Sequence, residues 1–367
     1  MGSEKPKEAG GIGVTGFWKK DHPRVSIIIV NFNGGALLRK AVRAALGSDV
    51  PVEVFVSDNG SIDESLAALQ DLRRDPRLRV IENHNNLGFS RANNVALKHS
   101  TGEFVLLLNP DCVIQPDTLR RMLTAMERFP EAVMAGCLIR NSDGTEQAGC
   151  RRRMPTPWRT LVRVLHLNTL FPNHPRFRNI TLAREPVPDQ PVLLEAISGA
   201  FMLIRRTEFE RVGLLDEGYF MHCEDLDLCM QFHRTNRPIL FVPDVEVVHY
   251  KGTCSASRPL RVLWYKHKGM IRFYRKFFRH QYPPVLMALV IAAVLARFSL
   301  LAGMVALKKL WSPTRERDFS QGVQADDVQS ASTAVPAVQS RSAVVPPMVA
   351  RRECDSTEAA REANHGH

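Results

Sequence analysis

Nothing near the amino terminus has the apolar core of a signal peptide, which predicts a main domain that stays in the cytosol. No Cys-x-x-Cys pair occurs either. The seven cysteines (112, 137, 150, 223, 229, 254 and 353) are scattered and odd in number, which argues against a disulfide framework and for reduced thiols. Cys223 and Cys229 bracket the stretch CEDLDLC, but that spacing on a helix puts them on different faces, against a zinc site. There is no internal repeat. GGIGVTG precedes the first strand instead of following it, so it lacks the context of a dinucleotide-binding turn. The opening MGSEKP has Pro6 where a myristoylation site needs Ser or Thr. The largest gap is in acid: residues 251–310 hold 12 Lys and Arg and no Asp or Glu. That segment accounts for the +11 net charge and leaves the rest of the chain near neutral. Such a segment meets nucleic acid or an anionic membrane face.

What is present is a rhythm. The 367 residues, 44% hydrophobic and 24% charged, suit one large or two small globular domains. VSIIIV (25–30), VEVFVS (52–57), LRVI (78–81) and EFVLLL (103–108) read as strands. Between them lie a helical stripe at 37, 38, 41, 42, 45 and 46, a helix from Ser61 with Glu64 in capping-box spacing, and a short helix over 90–100. This alternation predicts an α/β fold with a mainly parallel sheet flanked by helices. A helix is expected at about 116–128 and strands at 132–139, 197–204, 239–242 and 245–250, with a helix over 224–235. Residues 141–190, rich in Pro, Arg and Asn, read as a long irregular insertion.

Beyond 260 the character changes. Residues 260, 263, 264, 270, 271, 274, 277 and 278 are apolar or aromatic with cations between them, a basic amphipathic helix of the interfacial kind. Residues 285–307 follow with one charge, Arg297. Their helical length of about 34 Å exceeds the roughly 30 Å of bilayer hydrocarbon, and a mid-span arginine costs about 3 kcal/mol on insertion scales. Membrane association is the expectation, by a span or a re-entrant hairpin. Cations that alternate with so apolar a face argue against nucleic acid.

Every strand end in the first half carries unusual polar groups: NFNGG (31–35), SDNGSID (57–63), NHNNLGFSRANN (83–94) and NPD (109–111). Each alone would be a turn. Together they converge on the carboxyl edge of one sheet, where a nucleotide lies in open α/β folds. The second half adds SGA (198–200) and the carboxylate pair Glu224-Asp225 at a helix start, which could also merely favour the helix dipole.

In order, VNFNG, SDNGSIDES, NLGFSRANN, LLLNPD, SGAFMLIRR, DEGYFMHCEDLDLC and VVHYKGTCS resemble glycosyltransferase family 2, especially its bacterial rhamnosyltransferase-like branch. The resemblance covers about residues 25–260. It implies a nucleotide-diphospho-sugar transferase (GT-A-like) fold, inverting transfer to a hydroxyl, and a divalent metal, Mg2+ or Mn2+. By the same resemblance, Asp58 would bind the donor base, with Asn31, Asn33 and Asn59 nearby. Gly88, Phe89, Arg91 and Asn93 would line the nucleotide. Asp111 would be the last acid of the family's Asp-x-Asp motif and, with His249, would hold the metal. Asn109 stands where that motif has its first acid, a departure that should weaken the metal site. Asp225 would be the base, with Glu224 in reserve; Ser198, Gly199 and Ala200 would shape the acceptor side.

The expected layout is a tail at 1–23, a catalytic domain at 24–258 (donor half 24–130, acceptor half 131–258), a membrane-associated segment at 259–310 and a tail at 311–367. The expected activity is transfer of a sugar, rhamnose by branch resemblance, from a nucleotide-diphosphate donor to a lipid-linked glycan on the cytosolic face of the inner membrane. One rival is a sugar-nucleotide-binding protein without catalysis, for which Asn109 is the only support. A nucleotidyltransferase is the other, and it would want a basic phosphate loop after the first strand, where no Lys or Arg precedes Arg39.

Overall fold

The computed structural model describes residues 22–171, 174–250 and 259–311; the two expected tails lie almost wholly outside these. The chain opens β1 (Val25–Asn31), α1 (Gly35–Leu46), β2 (Val52–Asp58), β3 (Leu78–Glu82), α2 (Phe89–Leu97), β4 (Phe104–Leu108), β5 (Cys112–Val113) and α3 (Thr118–Arg128). It continues with β6 (Met134–Arg140), β7 (Arg151–Arg152), α4 (Pro157–Val164), α5 (Leu167–Leu170), β8 (Val192–Leu194), β9 (Ala196–Ile197) and β10 (Phe201–Arg205). Next come α6 (Arg206–Val212), α7 (Glu224–Arg234), β11 (Ile239–His249), α8 (Pro259–Phe277) and α9 (Pro284–Trp311).

The main sheet runs β3-β2-β1-β4-β10-β6-β11-β5, with β8 also paired to β11. Its first half, β3 to β4, is parallel as the alternation predicts. In the second half, β10 pairs antiparallel with both β4 and β6, so the whole sheet is mixed. Successive strand residues feed opposite layers, the period of two expected of a strand buried on both faces. Ile27, Ile29, Val54 and Leu106 pack under α1 and α3; Ile28, Phe55, Val105 and Leu107 pack under α2, α7 and α8.

Three expectations change in the structure. The segment after Ser61 is two short 3-10 turns rather than an α-helix. Ser61 is drawn away from capping: its Oγ donates to Asp58 Oδ1 at 2.6 Å, and short polar side chains bonded locally compete with helix formation. The segments 239–242 and 245–250 form one strand, β11, whose register against β6 shifts between Val242 and Glu246 around Pro243. The insertion contains α4, which starts at Thr156: its hydroxyl accepts the Arg159 N–H at 3.2 Å and Pro157 occupies the first turn.

Candidate active site

Because β1, β2 and β4 are parallel in register, Asn31 and Asp58 are direct neighbours at one edge, with the Asn109–Asp111 turn beside them. Asn31 is fully buried, and its amide donates to Asp58 Oδ1 (2.7 Å), Ser61 Oγ (3.0 Å) and Ser65 Oγ (2.9 Å). Asp58 Oδ2 accepts the Gly60 and Ser61 N–H groups at 3.0 and 2.9 Å. Both Asp58 oxygens are thus bonded internally, so this buried carboxylate shapes the turn at the crevice edge. Asn33 accepts the Ile62 N–H through Oδ1 at 2.9 Å, tying the first two strand ends together.

Asn59 donates to the Gly88 carbonyl at 3.1 Å and accepts from Asn83 at 3.1 Å, which anchors the second turn to the third. Gly88 has φ 84°, and a Cβ there would meet the Phe220 carbonyl oxygen at 2.5 Å. The Phe89 N–H donates to that same oxygen at 2.7 Å, so the Gly88-Phe89 loop is fastened to the acceptor half. Asn93 is buried and donates to the Phe89 carbonyl at 2.9 Å, while its Oδ1 has no hydrogen-bond partner among the described residues. Arg91 is exposed and its nearest acid is Glu217, 3.9 Å away, so it stands apart from the buried network.

The opposite end of the crevice is built on His249. Gln147 donates through its amide nitrogen to Asn141 Oδ1 (2.9 Å), which turns its oxygen toward His249 Nδ1, 2.7 Å away. Nδ1 therefore donates to Gln147, which turns Nε2 toward Asn109 and Asp111. Asn109 donates to Nε2 at 3.2 Å, and Asp111 Oδ1 lies 3.0 Å from it. A carboxylate oxygen and an imidazole lone pair this close repel unless a proton or a cation lies between them. A divalent ion accepts both donor types, so the pair fits one. Among the described residues no third His, Cys, Asp or Glu joins them, so other ligands must come from bound substrate or water.

A strap, Ser198–Ala200, joins this end to the carboxylate pair. The Ala200 carbonyl accepts the Asn109 N–H at 3.0 Å, and the Gly199 N–H donates to Asp225 Oδ2 at 3.2 Å. A Cβ on Gly199 would lie 3.1 Å from the Asp225 Cβ, so glycine lets the strap run this close. Glu224 and Asp225 open α7 just after His222 (φ 66°) and Cys223 (φ 73°). Two consecutive left-handed residues that are not glycine are strained, the kind of backbone that gathers at functional sites.

The two carboxyls sit in opposite environments. Burial and the neighbouring Asp225 charge push Glu224 up to about 8, and its Oε2 is buried with no hydrogen-bond partner among the described residues. Burial also pushes on Asp225, but Arg152 outweighs it through charge and a direct hydrogen bond to Oδ2, holding this carboxyl below its ordinary value. Arg152 Nη2 is fixed in turn by the Ile197 carbonyl. Arg152 and Gln147 both come from the insertion, and the sequence singles out neither. The one visible signal is the run Arg151–Arg153, in which Arg151 pairs with Glu146 and Arg153 with Glu185.

A parallel half-sheet with polar turns at its carboxyl edge, faced by a split carboxylate pair, is the layout of a nucleotide-sugar transferase. A family model described as glycosyl transferase family 2 matches residues 26–207. Over 259 residues the chain is 30% identical to the N-acetylglucosaminyl-diphospho-decaprenol L-rhamnosyltransferase of Mycobacterium tuberculosis, covering 67% of this chain and 82% of that one. It is 25% identical over 237 residues to rhamnosyltransferase WbbL of Escherichia coli, covering 62% and 83%. Among solved structures it is similar to the mannosyltransferase PcManGT from Pyrobaculum calidifontis in complex with GDP-Man and Mn2+, with TM-score 0.49, 19% identity and coverage of 80% and 82%. The chain belongs to glycosyltransferase family 2 and is an inverting glycosyltransferase.

Proposed function

We propose that this enzyme transfers rhamnose from a deoxythymidine-diphosphate donor to a hydroxyl of a lipid-diphosphate-linked glycan at the cytosolic face of the inner membrane. The sugar and the acceptor class are supported by the names of the relatives, which match most of their own length. The chemistry rests on one observation: the strap Ser198–Ala200 is bonded at one end to the Asn109–Asp111 turn and at the other to Asp225. An acceptor lying on the strap would have the donor diphosphate on one side and a carboxylate on the other.

Asp225 is the base. Inversion by direct displacement needs a group that is unprotonated at working pH to take the acceptor hydroxyl's proton. Arg152 keeps Asp225 charged, and the Gly199 and Leu226 N–H groups hold its oxygens in place. Glu224, raised to about 8, keeps its proton near neutrality and is the poorer base. Asn31, Asn59 and Gly88 hold the three turns on which the nucleotide lies, with Asp58, Asn33, Phe89 and Asn93 forming their frame. Asp111 and His249 would hold Mg2+ or Mn2+, which when bound supplies positive charge to the leaving diphosphate.

Membrane attachment rests on α9, whose residues Pro284–Leu307 are long and apolar enough to cross a bilayer. Met287, Val290 and Val294 pack into the core shared with α8, and Phe298 lies 5.3 Å from Trp264. Val285, Leu289, Leu300, Met304 and Leu307 are exposed. This uncovered apolar side is what would face the membrane, and Arg297 meets His267 of α8 at 3.2 Å.

Exchanging the two acids tests the base. Asp225→Asn should lower transfer by roughly 10²–10⁴-fold with donor binding nearly unchanged, and Glu224→Gln should retain transfer. Full activity of Asp225→Asn with a dead Glu224→Gln would reverse the roles.

A further inference from the structure

The amphipathic pattern of residues 260–278 predicts a helix that lays its apolar face into the membrane interface. The structure uses that face differently. Phe273, Tyr274 and Phe277 of α8 are buried in the core beneath the sheet. Gly269 lets the helix pack against the turn before α7; a Cβ there would lie 2.8 Å from the His222 carbonyl oxygen. Protein occupies the carboxyl-terminal half of the apolar face, while Leu260 and Trp264 stay exposed, so over the second half of α8 the cations are what remains at the surface.

Those cations form one stripe. Lys268, Arg272, Arg275, Lys276 and Arg279 follow helical spacing and, with the turn at Asp216 and Gly218, line a cavity of about 560 Å³. The stripe has two parts. Arg272 lies over Gly218 and donates to Asp216 at 2.7 Å, and Lys276 bridges Asp216 and the buried Asp227, both at 2.8 Å. These two are held in place by acids. Lys268, Arg275 and Arg279 have no acid partner among the described residues and face solvent. Five cations against two carboxylates leave the cavity positive. Three fixed-sign charges with nothing to meet them are arranged for an anion supplied from outside.

We propose that this cavity binds the phosphate headgroup of an anionic phospholipid. Arg279 is five residues before Pro284, where α9 begins with the exposed Val285 and Leu289. A phosphate in the cavity and acyl chains along the start of α9 are the two halves of one lipid molecule. A free anion or a nucleic acid would use only the first. Asp227 is two residues from Asp225 on α7, so its side chain, and Lys276 with it, points to the other side of that helix. The cavity is therefore separate from the acceptor side of the crevice. The inference rests on the membrane reading above, and its test separates the two.

Full-length protein is floated with vesicles of phosphatidylcholine alone and of phosphatidylcholine mixed with phosphatidylglycerol. The triple variant Lys268→Gln, Arg275→Gln, Arg279→Gln removes only cations without partners, so folding should be unaffected. A control variant, Lys98→Gln, Arg128→Gln, Arg211→Gln, removes equal charge elsewhere. Wild type and control should bind both vesicles and prefer phosphatidylglycerol by roughly tenfold or more. The triple variant should lose that preference and keep its phosphatidylcholine binding. Inorganic phosphate or an oligonucleotide at equal phosphate concentration should not displace the wild type. Equal binding to both vesicles, a preference retained by the triple variant, loss in the control, or displacement by either competitor would overturn the headgroup site. Binding to neither vesicle would overturn the membrane reading itself.

Discussion

In the proposed mechanism Arg152 has a larger part than its place in the sequence suggests. An aspartate taken out of water tends to hold its proton, and a protonated aspartate cannot be a base. The guanidinium reverses that tendency at Asp225 while burial is left to act on Glu224. For a carboxyl depressed in the folded state, the linked stability is present above the ordinary Asp value and lost as pH falls through the lower folded one. Arg152→Gln should therefore raise the acid limb of the kcat profile by about one pH unit or more, with donor affinity unchanged. Arg152→Lys, which keeps the charge, should restore part of the shift. An acid limb that does not move would mean that Arg152 only packs the strap. As the proposed base, Asp225 was legible in the sequence through its motif. Its partner was not, because an arginine among three in a row gives no sign of which way it points.

At the scale of elements, the parallel half of the sheet was legible because each strand is apolar on both faces and each turn polar. The second half was less so. The antiparallel β10 and the bulge in β11 are set by pairing between distant strands, which local periodicity does not carry. The helix expected after Ser61 gave way to the demands of the Asp58 turn. Gln147 escaped notice for a related reason: it acts only by aiming His249, across 102 residues of chain. Calorimetric titration of donor nucleotide against Mg2+ or Mn2+ tests this end of the crevice without requiring turnover. Asp111→Ala should abolish the metal-assisted part of binding and His249→Ala should weaken it. Gln147→Leu should lower metal affinity roughly 10–100-fold by releasing the ring. Donor affinity and wild-type activity that persist in excess chelator would show that the turn works without a divalent ion.

At the scale of the whole molecule, the proposed reading sets a nucleotide-sugar crevice and a lipid-facing surface on one catalytic unit. The charge imbalance of residues 251–310 pointed to the membrane from sequence, but the pattern does not carry how much of the apolar face the protein itself covers. Amphipathicity states that a helix has an apolar face without stating what covers it, and in α8 protein covers the part around Tyr274 and Phe277 while Leu260 and Trp264 stay exposed. In the proposed membrane contact, the cationic stripe and the uncovered side of α9 are the surfaces that would meet lipid.

The most direct test of the account is transfer itself. Purified full-length protein is given a panel of nucleotide-diphospho-sugars, each with a lipid-diphosphate-linked N-acetylglucosamine acceptor, and both donor binding and glycosylated lipid are measured. The account predicts that deoxythymidine-diphosphate-rhamnose binds and yields a rhamnosylated lipid with inverted anomeric configuration, while the other donors give little product. Transfer of a different sugar would contradict the assigned donor, and donor binding without any transfer would make the chain a sugar-nucleotide-binding protein.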